Sequence, residues 1–152
     1  MNTNDKDATM IVITKSESET EQEGKKLAGA LAPGAIIAMQ GALGAGKTAF
    51  TRGLAAGLKI DAHISSPTFT IVNEYDGDIP LYHFDLYRIA SSDELYDIGW
   101  YDYLERGGIC AVEWSENAPG AFPDGTIYVK IENMGGDARS IEITAAPPSP
   151  SS

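Results

Sequence analysis

The residues whose types and spacing most plainly imply chemistry are Gly41-Ala-Leu-Gly-Ala-Gly-Lys-Thr48, which match G-x-x-x-x-G-K-[ST]. Glycine at positions 41, 44 and 46 frees the backbone to turn its N–H groups inward around an anion. Lys47 carries a cation to the β- and γ-phosphates of a nucleotide, and the Thr48 hydroxyl is a ligand for Mg²⁺. A helix starting at Thr48 would aim its positive end at the same phosphates. At average composition a chain of this length matches the pattern by accident only about 0.5% of the time. A nucleotide site is the expectation.

Such a loop needs a second anionic group for the metal, ordinarily at the end of an apolar strand. Ile109-Cys-Ala-Val-Glu113-Trp114 offers that arrangement. Glu113 would hold Mg²⁺, directly or through water, or orient the attacking water; a solvated strand-end carboxylate is the plainer alternative. Asp85 is the other candidate, within Tyr82-His-Phe-Asp-Leu-Tyr-Arg88. A strand there puts His83, Asp85 and Tyr87 on one face and Phe84 and Leu86 on the other. Periodicity alone leaves a functional face and a solvated one evenly matched, and His83 by itself reads as a structural hydrogen-bonder. Cys110 reads as a small core residue.

The elements that must position these groups follow from patterning. Met10–Thr14 is a short apolar run, and Ser16 or Ser18 can cap a helix with acids in its first turns. That helix has Leu27, Ala28, Leu31 and Ala32 spaced for one buried face and ends at Pro33-Gly34. Ala35–Gln40 reads as a strand covered on both faces, followed by the glycine-rich loop and a helix over Thr48–Leu58. Phe69–Tyr75 and Leu81–Tyr87 form a hairpin across Asp76-Gly77-Asp78. Helical spacing runs from Ser92 through Leu104, then a buried strand from Gly108 to Glu113. Thr126–Glu132 and Ser140–Thr144 alternate around Gly135-Gly136-Asp137. Strands interleaved with helices predict an α/β fold: a single P-loop NTPase domain over residues 10–145, with a mixed sheet flanked by helices. Residues 1–9 read as a flexible lead and residues 146–152 as a disordered tail.

Composition narrows the setting. The chain has 152 residues, room for one core, and 43% are hydrophobic, which excludes global disorder. No run approaches the roughly 20 apolar residues of a membrane span. The start is polar and acidic, unlike a signal peptide, and the single cysteine suits a reducing cytoplasm. With 22 acidic and 11 basic side chains, the formal charge of −11 argues against gripping DNA or RNA unaided. Asp85, Asp93, Glu94, Asp97, Asp102 and Glu105 cluster in sequence, which predicts either an acidic docking face for a basic partner or a solvated helix face.

Taken in order, Leu43-Gly-Ala-Gly-Lys-Thr48, Ser66-Pro-Thr-Phe-Thr70, His83-Phe-Asp-Leu-Tyr-Arg88 and Val112-Glu-Trp114 closely resemble the TsaE (formerly YjeE) family, across roughly residues 10–145. The family comprises bacterial ATPases needed to make threonylcarbamoyladenosine in tRNA. The resemblance implies ATP and Mg²⁺ as ligands, with Gly41, Leu43, Gly44, Ala45, Gly46, Lys47, Thr48 and Ala49 around the phosphates. It implies Thr48, Glu113 and Asp85 at the metal and water, Glu113 being the preferred metal partner of the two acids, and catalytic roles for Lys47, Asp85, Glu113 and Thr68. Thr68 would lie in a segment that responds to the γ-phosphate, Trp114 would pack beside the site, and Thr20 would approach the adenine. The implied partner is the TsaB–TsaD pair, with tRNA met only indirectly, in the cytoplasm. Two positions depart from the family pattern: Ala42 stands where Asp is common, and Ala49 where a second hydroxyl is frequent. The second change removes a hydrogen bond of about 1 kcal/mol.

Two other classes fit a P-loop. A small-molecule kinase needs a lid bearing several cations, and Arg88, Arg106 and Arg139 form no clustered lid signature. A protein that binds ATP without hydrolysing it is compatible with the sequence. The absence of Asn-Lys-x-Asp argues against a GTPase. Slow unaided turnover is expected, because no arginine is placed by the sequence as a finger.

Overall fold

The computed structural model describes residues 9–42, 44–65, 67 and 71–145. Seven strands form one sheet: β1 (Thr9–Thr14), β2 (Ile36–Gln40), β3 (Val72–Tyr75), β4 (Leu81–Asp85), β5 (Ile109–Glu113), β6 (Ile127–Gly135) and β7 (Ala138–Thr144). Their order is β1-β7-β6-β2-β5-β4-β3. The central strands β6, β2, β5 and β4 pair in parallel, whereas β3–β4, β6–β7 and β1–β7 are antiparallel. The sheet is therefore mixed, as predicted. The continuous apolar runs of β2 and β5 occupy its middle because both their faces are covered.

One face is covered by α1 (Glu17–Ala28) and α2 (Lys47–Gly57). Ser16 caps α1, accepting from the Glu19 N–H at 3.1 Å, while Glu19 reaches back to the Lys15 N–H at 2.8 Å. The apolar stripe predicted for this helix is not its main contact. The helix ends at Ala28, Leu27 and Leu31 are half-buried, and Ala32 is exposed. Its buried line is Thr20, Gly24 and Ala28, facing the glycines of α2. A Cβ at Gly24 would lie 2.2 Å from the Phe50 carbonyl oxygen, and one at Gly53 only 1.9 Å from that of Glu21. The two backbones touch, an approach only glycine permits. Arg52 clamps the pair from outside through Glu17 and Glu21.

The other face is covered by α3 (Ser92–Asp97), α4 (Trp100–Glu105) and two 3-10 turns, Ser115–Asn117 and Pro119–Ala121. The single helix predicted from Ser92 to Leu104 is broken at Gly99, whose φ is +93°. Leu95 and Trp100 are both fully buried, yet five residues of continuous helix would set them about 140° apart. A left-handed glycine turns Trp100 back into the core. There it meets Phe84 edge-on at 5.1 Å and donates its indole N–H to the Ala121 carbonyl at 3.0 Å. The acidic cluster is thereby divided: Asp85 belongs to the face of α2, while the acids of α3 and α4 lie on the opposite layer. Two of them are occupied, Asp102 by Arg106 and Glu94 by the Ala90 N–H.

Candidate nucleotide site

At the C-terminal ends of β2, β4 and β5 an open cleft of about 430 Å³ runs along the glycine-rich loop. Its lining includes Gly44–Ala49, Asp85, Glu113 and Trp114, with Glu17 and Thr20 from α1 and Asp137 and Arg139 from the β6–β7 hairpin. The loop leaves β2 and enters α2 through Gly46 at φ +112°. Lys47, expected just before the helix, is its first residue.

Lys47 is buried, and its ammonium donates to the carbonyls of Gly41 and Ala42, the latter at 3.3 Å. The same nitrogen lies 3.9 Å above the indole ring of Trp114, a cation–π contact. Burial pushes the Lys47 pKa down, opposed by the nearby carboxylates of Glu113, Glu116 and Asp85. Trp114 holds a left-handed backbone, φ 59°, and packs against Tyr87 at 5.0 Å between centroids.

Glu113 ends β5, buried on the same face as Met39, its β2 register partner. Its Oε2 accepts from the Thr48 hydroxyl at 3.2 Å and lies 2.6 Å from His83 Nε2. The solvated strand end weighed for Glu113 is thereby excluded. Asp85 is directly opposite Glu113 in the β4–β5 register. Burial first, and then the neighbouring Glu113 carboxylate, push its pKa up, against the backbone N–H of Tyr87 that its Oδ1 accepts at 3.0 Å. The polar face predicted for this strand holds for His83 and Asp85 only. The strand stops at Asp85, Tyr87 lies beyond it and is exposed, and His83 is completely buried rather than solvated.

Thr20 lies at the far side of the loop. Its hydroxyl shares a 2.8 Å hydrogen bond with Thr14, and its methyl faces Gly46. Ala49 is buried behind the loop and Ala42 is exposed. Leu43 and Thr68 lie outside the described residues. No group of three or more His, Cys, Asp or Glu suited to a metal occurs among the described residues. The cleft would offer Mg²⁺ oxygen donors from Thr48, Glu113 and Asp85 beside the loop, with Glu17 and Asp137 elsewhere on its lining. That suits a cation that keeps waters and takes its remaining ligands from phosphates.

Several site residues escaped the sequence. Arg139 donates to the Gly44 carbonyl at 3.2 Å, so an arginine does stand at the loop. It arrives there because β6 pairs with β2, which no local pattern announces. Glu116, one turn past Trp114, sits near Lys47; burial pushes its pKa up, opposed by Lys47 and by the Gly41 N–H.

The model of the family described as "Threonylcarbamoyl adenosine biosynthesis protein TsaE" matches residues 14–141. The chain belongs to the TsaE family. A tRNA threonylcarbamoyladenosine biosynthesis protein TsaE from Bacillus subtilis is 42% identical over 133 residues, covering 87% of this chain and 83% of that protein. One from Treponema pallidum is 37% identical over 134 residues, covering 88% and 99%. The crystal structure of Bacillus subtilis YdiB superposes with a TM-score of 0.78 at 34% identity, covering 92% of this chain and 88% of that one. Membership carries the family's role in tRNA threonylcarbamoyladenosine biosynthesis and the theme of P-loop nucleotide binding. No helix among the described residues is long and apolar enough to cross a membrane.

Proposed function

We propose that this chain binds ATP with Mg²⁺ and hydrolyses it slowly by itself, and that hydrolysis supports repeated turnover of a TsaB–TsaD assembly. The observation that carries the reading is the 3.2 Å hydrogen bond from Thr48, at the head of the P-loop helix, to Glu113, at the end of a buried strand. A hydroxyl and a carboxylate in contact, with a lysine alongside, are the hard donors and cation that a Mg-triphosphate requires.

In this reading the amides of residues 44–48 surround the phosphates. Lys47 exchanges the Gly41 and Ala42 carbonyls for β- and γ-phosphate oxygens. Leaving Trp114 costs about 0.5–2 kcal/mol of cation–π attraction. Charge-assisted contacts to phosphate are stronger and offset it. Thr48, Glu113 and Asp85 hold the metal, which when bound neutralises charge on the β- and γ-oxygens. Glu113 and Asp85 also orient the attacking water, Thr20 lies toward the base, and Thr68 couples loss of the γ-phosphate to movement. With a net charge of −11 the chain meets tRNA through its partner, in the cytoplasm.

The test is ATP turnover by the purified chain, alone and with TsaB–TsaD and tRNA. A slow basal rate that rises with the partners is expected. Full-speed hydrolysis by the isolated chain, unchanged by them, refutes partner dependence; phosphate transfer to a small acceptor would favour a kinase.

A further inference from the structure

We propose that His83 is a positioning residue for Glu113: its imidazole anchors one carboxylate oxygen from inside the sheet, leaving the other to the cleft. The inference rests on the nucleotide reading above and concerns a residue that does not line the cleft.

The geometry comes from strand register. His83 and Asp85 share one face of β4, and their partners on β5 are Ala111 and Glu113. His83 therefore sits one step deeper than Glu113, diagonal to it across the strand pair. Ala111, directly opposite, is small enough to leave room for the ring to lean toward the strand end. The contact is 2.6 Å between two side chains that are 0% and 3% exposed as residues. An ionised carboxylate only accepts, so in this proposal the shared proton lies on Nε2.

Both hydrogen bonds that the described residues give the Glu113 carboxylate fall on the same atom, Oε2: one from His83, one from Thr48. Two donors converging on one oxygen fix the carboxylate's torsion as a single donor would not. Meanwhile His83 Nδ1 is buried with no hydrogen-bond partner among the described residues. A ring kept only to fill space would leave that polar atom an uncompensated burden, and Leu or Phe would fill the site without it. What the imidazole supplies that those residues lack is the Nε2 donor, and that donor has one recipient. Outer partners of this kind typically change metal affinity or activity about 10- to 100-fold when removed.

The test is calorimetric titration of ADP into the wild type, His83→Leu and His83→Gln, with Mg²⁺ and with EDTA, alongside circular dichroism to verify folding. The expected result is ADP affinity in EDTA within about twofold for all three. The Mg²⁺ concentration for half-maximal effect should rise about 10- to 100-fold in His83→Leu. His83→Gln, whose amide nitrogen can donate to Glu113, should recover most of that loss. A folded His83→Leu with an unchanged Mg²⁺ requirement overturns the proposal. So does equal loss in EDTA without rescue by Gln, the signature of a merely structural role. Should His83→Leu not fold, the ¹⁵N-imidazole spectrum of the wild type decides: a proton on Nε2 whose signal moves in Glu113→Gln supports the anchor, and a proton on Nδ1 refutes it. A wild type that binds no nucleotide brings down the nucleotide reading and this role together. A wild type with Mg²⁺-dependent binding and an indifferent His83→Leu brings down only the role of His83.

Discussion

The two faces of the sheet are covered by different means. Over one, α1 and α2 meet backbone to backbone at Gly24 and Gly53, and the polar groups of Glu113, His83 and Lys47 are buried beside them. Over the other, Trp100 and Tyr103 of α4 meet Phe84 and Tyr82 of β4 in a chain of edge-to-face contacts near 5 Å. Chemistry collects on the glycine-packed face, above an apolar cluster that includes Ile37, Met39, Phe50 and Leu54, and the interlocked rings collect on the other. Rings bury much surface in one place, whereas a closely packed helix can bring its amide-rich end down onto carboxylates. The buried apolar core thus lies on both layers of this small domain, whereas the chemistry is confined to one.

Three substitutions probe that division. Trp100→Ala should cost about 3–5 kcal/mol of stability, read from denaturant unfolding. Turnover per folded molecule, measured well below the transition, should stay within about twofold. Lost turnover in the folded fraction would break the division. Glu113→Gln should do the reverse, cutting Mg²⁺-dependent turnover about 100-fold, the scale for one charge-stabilising group. Its unfolding midpoint should shift less than that of Trp100→Ala, and a steady-state assay beside a thermal melt compares the two. The smallest effect concerns Asp85, whose pKa in the fold is raised by burial and by Glu113. The folded state then holds this proton more tightly than the unfolded chain, so stability falls as pH rises from the ordinary Asp value, 3.8, through the raised one. Asp85→Asn should therefore melt higher than the wild type at neutral pH, with the gain vanishing below about pH 4. A gain that persisted in acid would locate the effect elsewhere.

How much of this was legible depends on how far apart the cooperating residues lie in the chain. The loop from Gly41 to Thr48 is contiguous, and its chemistry could be read directly. Glu113 was legible because an apolar run leads up to it; that Asp85 stands directly opposite it follows from the register of β4 against β5, which no local pattern shows. The line Gly24–Gly53 was invisible to hydrophobic periodicity, since glycine carries no side chain to count. It drew attention instead to Ala32, which is exposed. The break at Gly99 was missed because a helical pattern says which residues are apolar, not which way the core lies. Arg139 and Asp137 could not be placed at all, because they reach the cleft through the pairing of β6 with β2, about 90 residues apart in sequence.

The contact between α1 and α2 has a mechanical consequence. With a Cβ at Gly53 excluded by the Glu21 carbonyl at 1.9 Å, no side chain lies there to be compressed or to change rotamer. The helices behave as a single strut whose thickness is set by backbone atoms. Thr20 and the loop entering α2 are mounted on that strut and keep their spacing. Across the cleft, the β6–β7 hairpin carries Asp137 at its exposed glycine turn and Arg139 at the start of β7. A side chain at Gly24 or Gly53 would therefore thicken the strut and displace Thr20 relative to the loop.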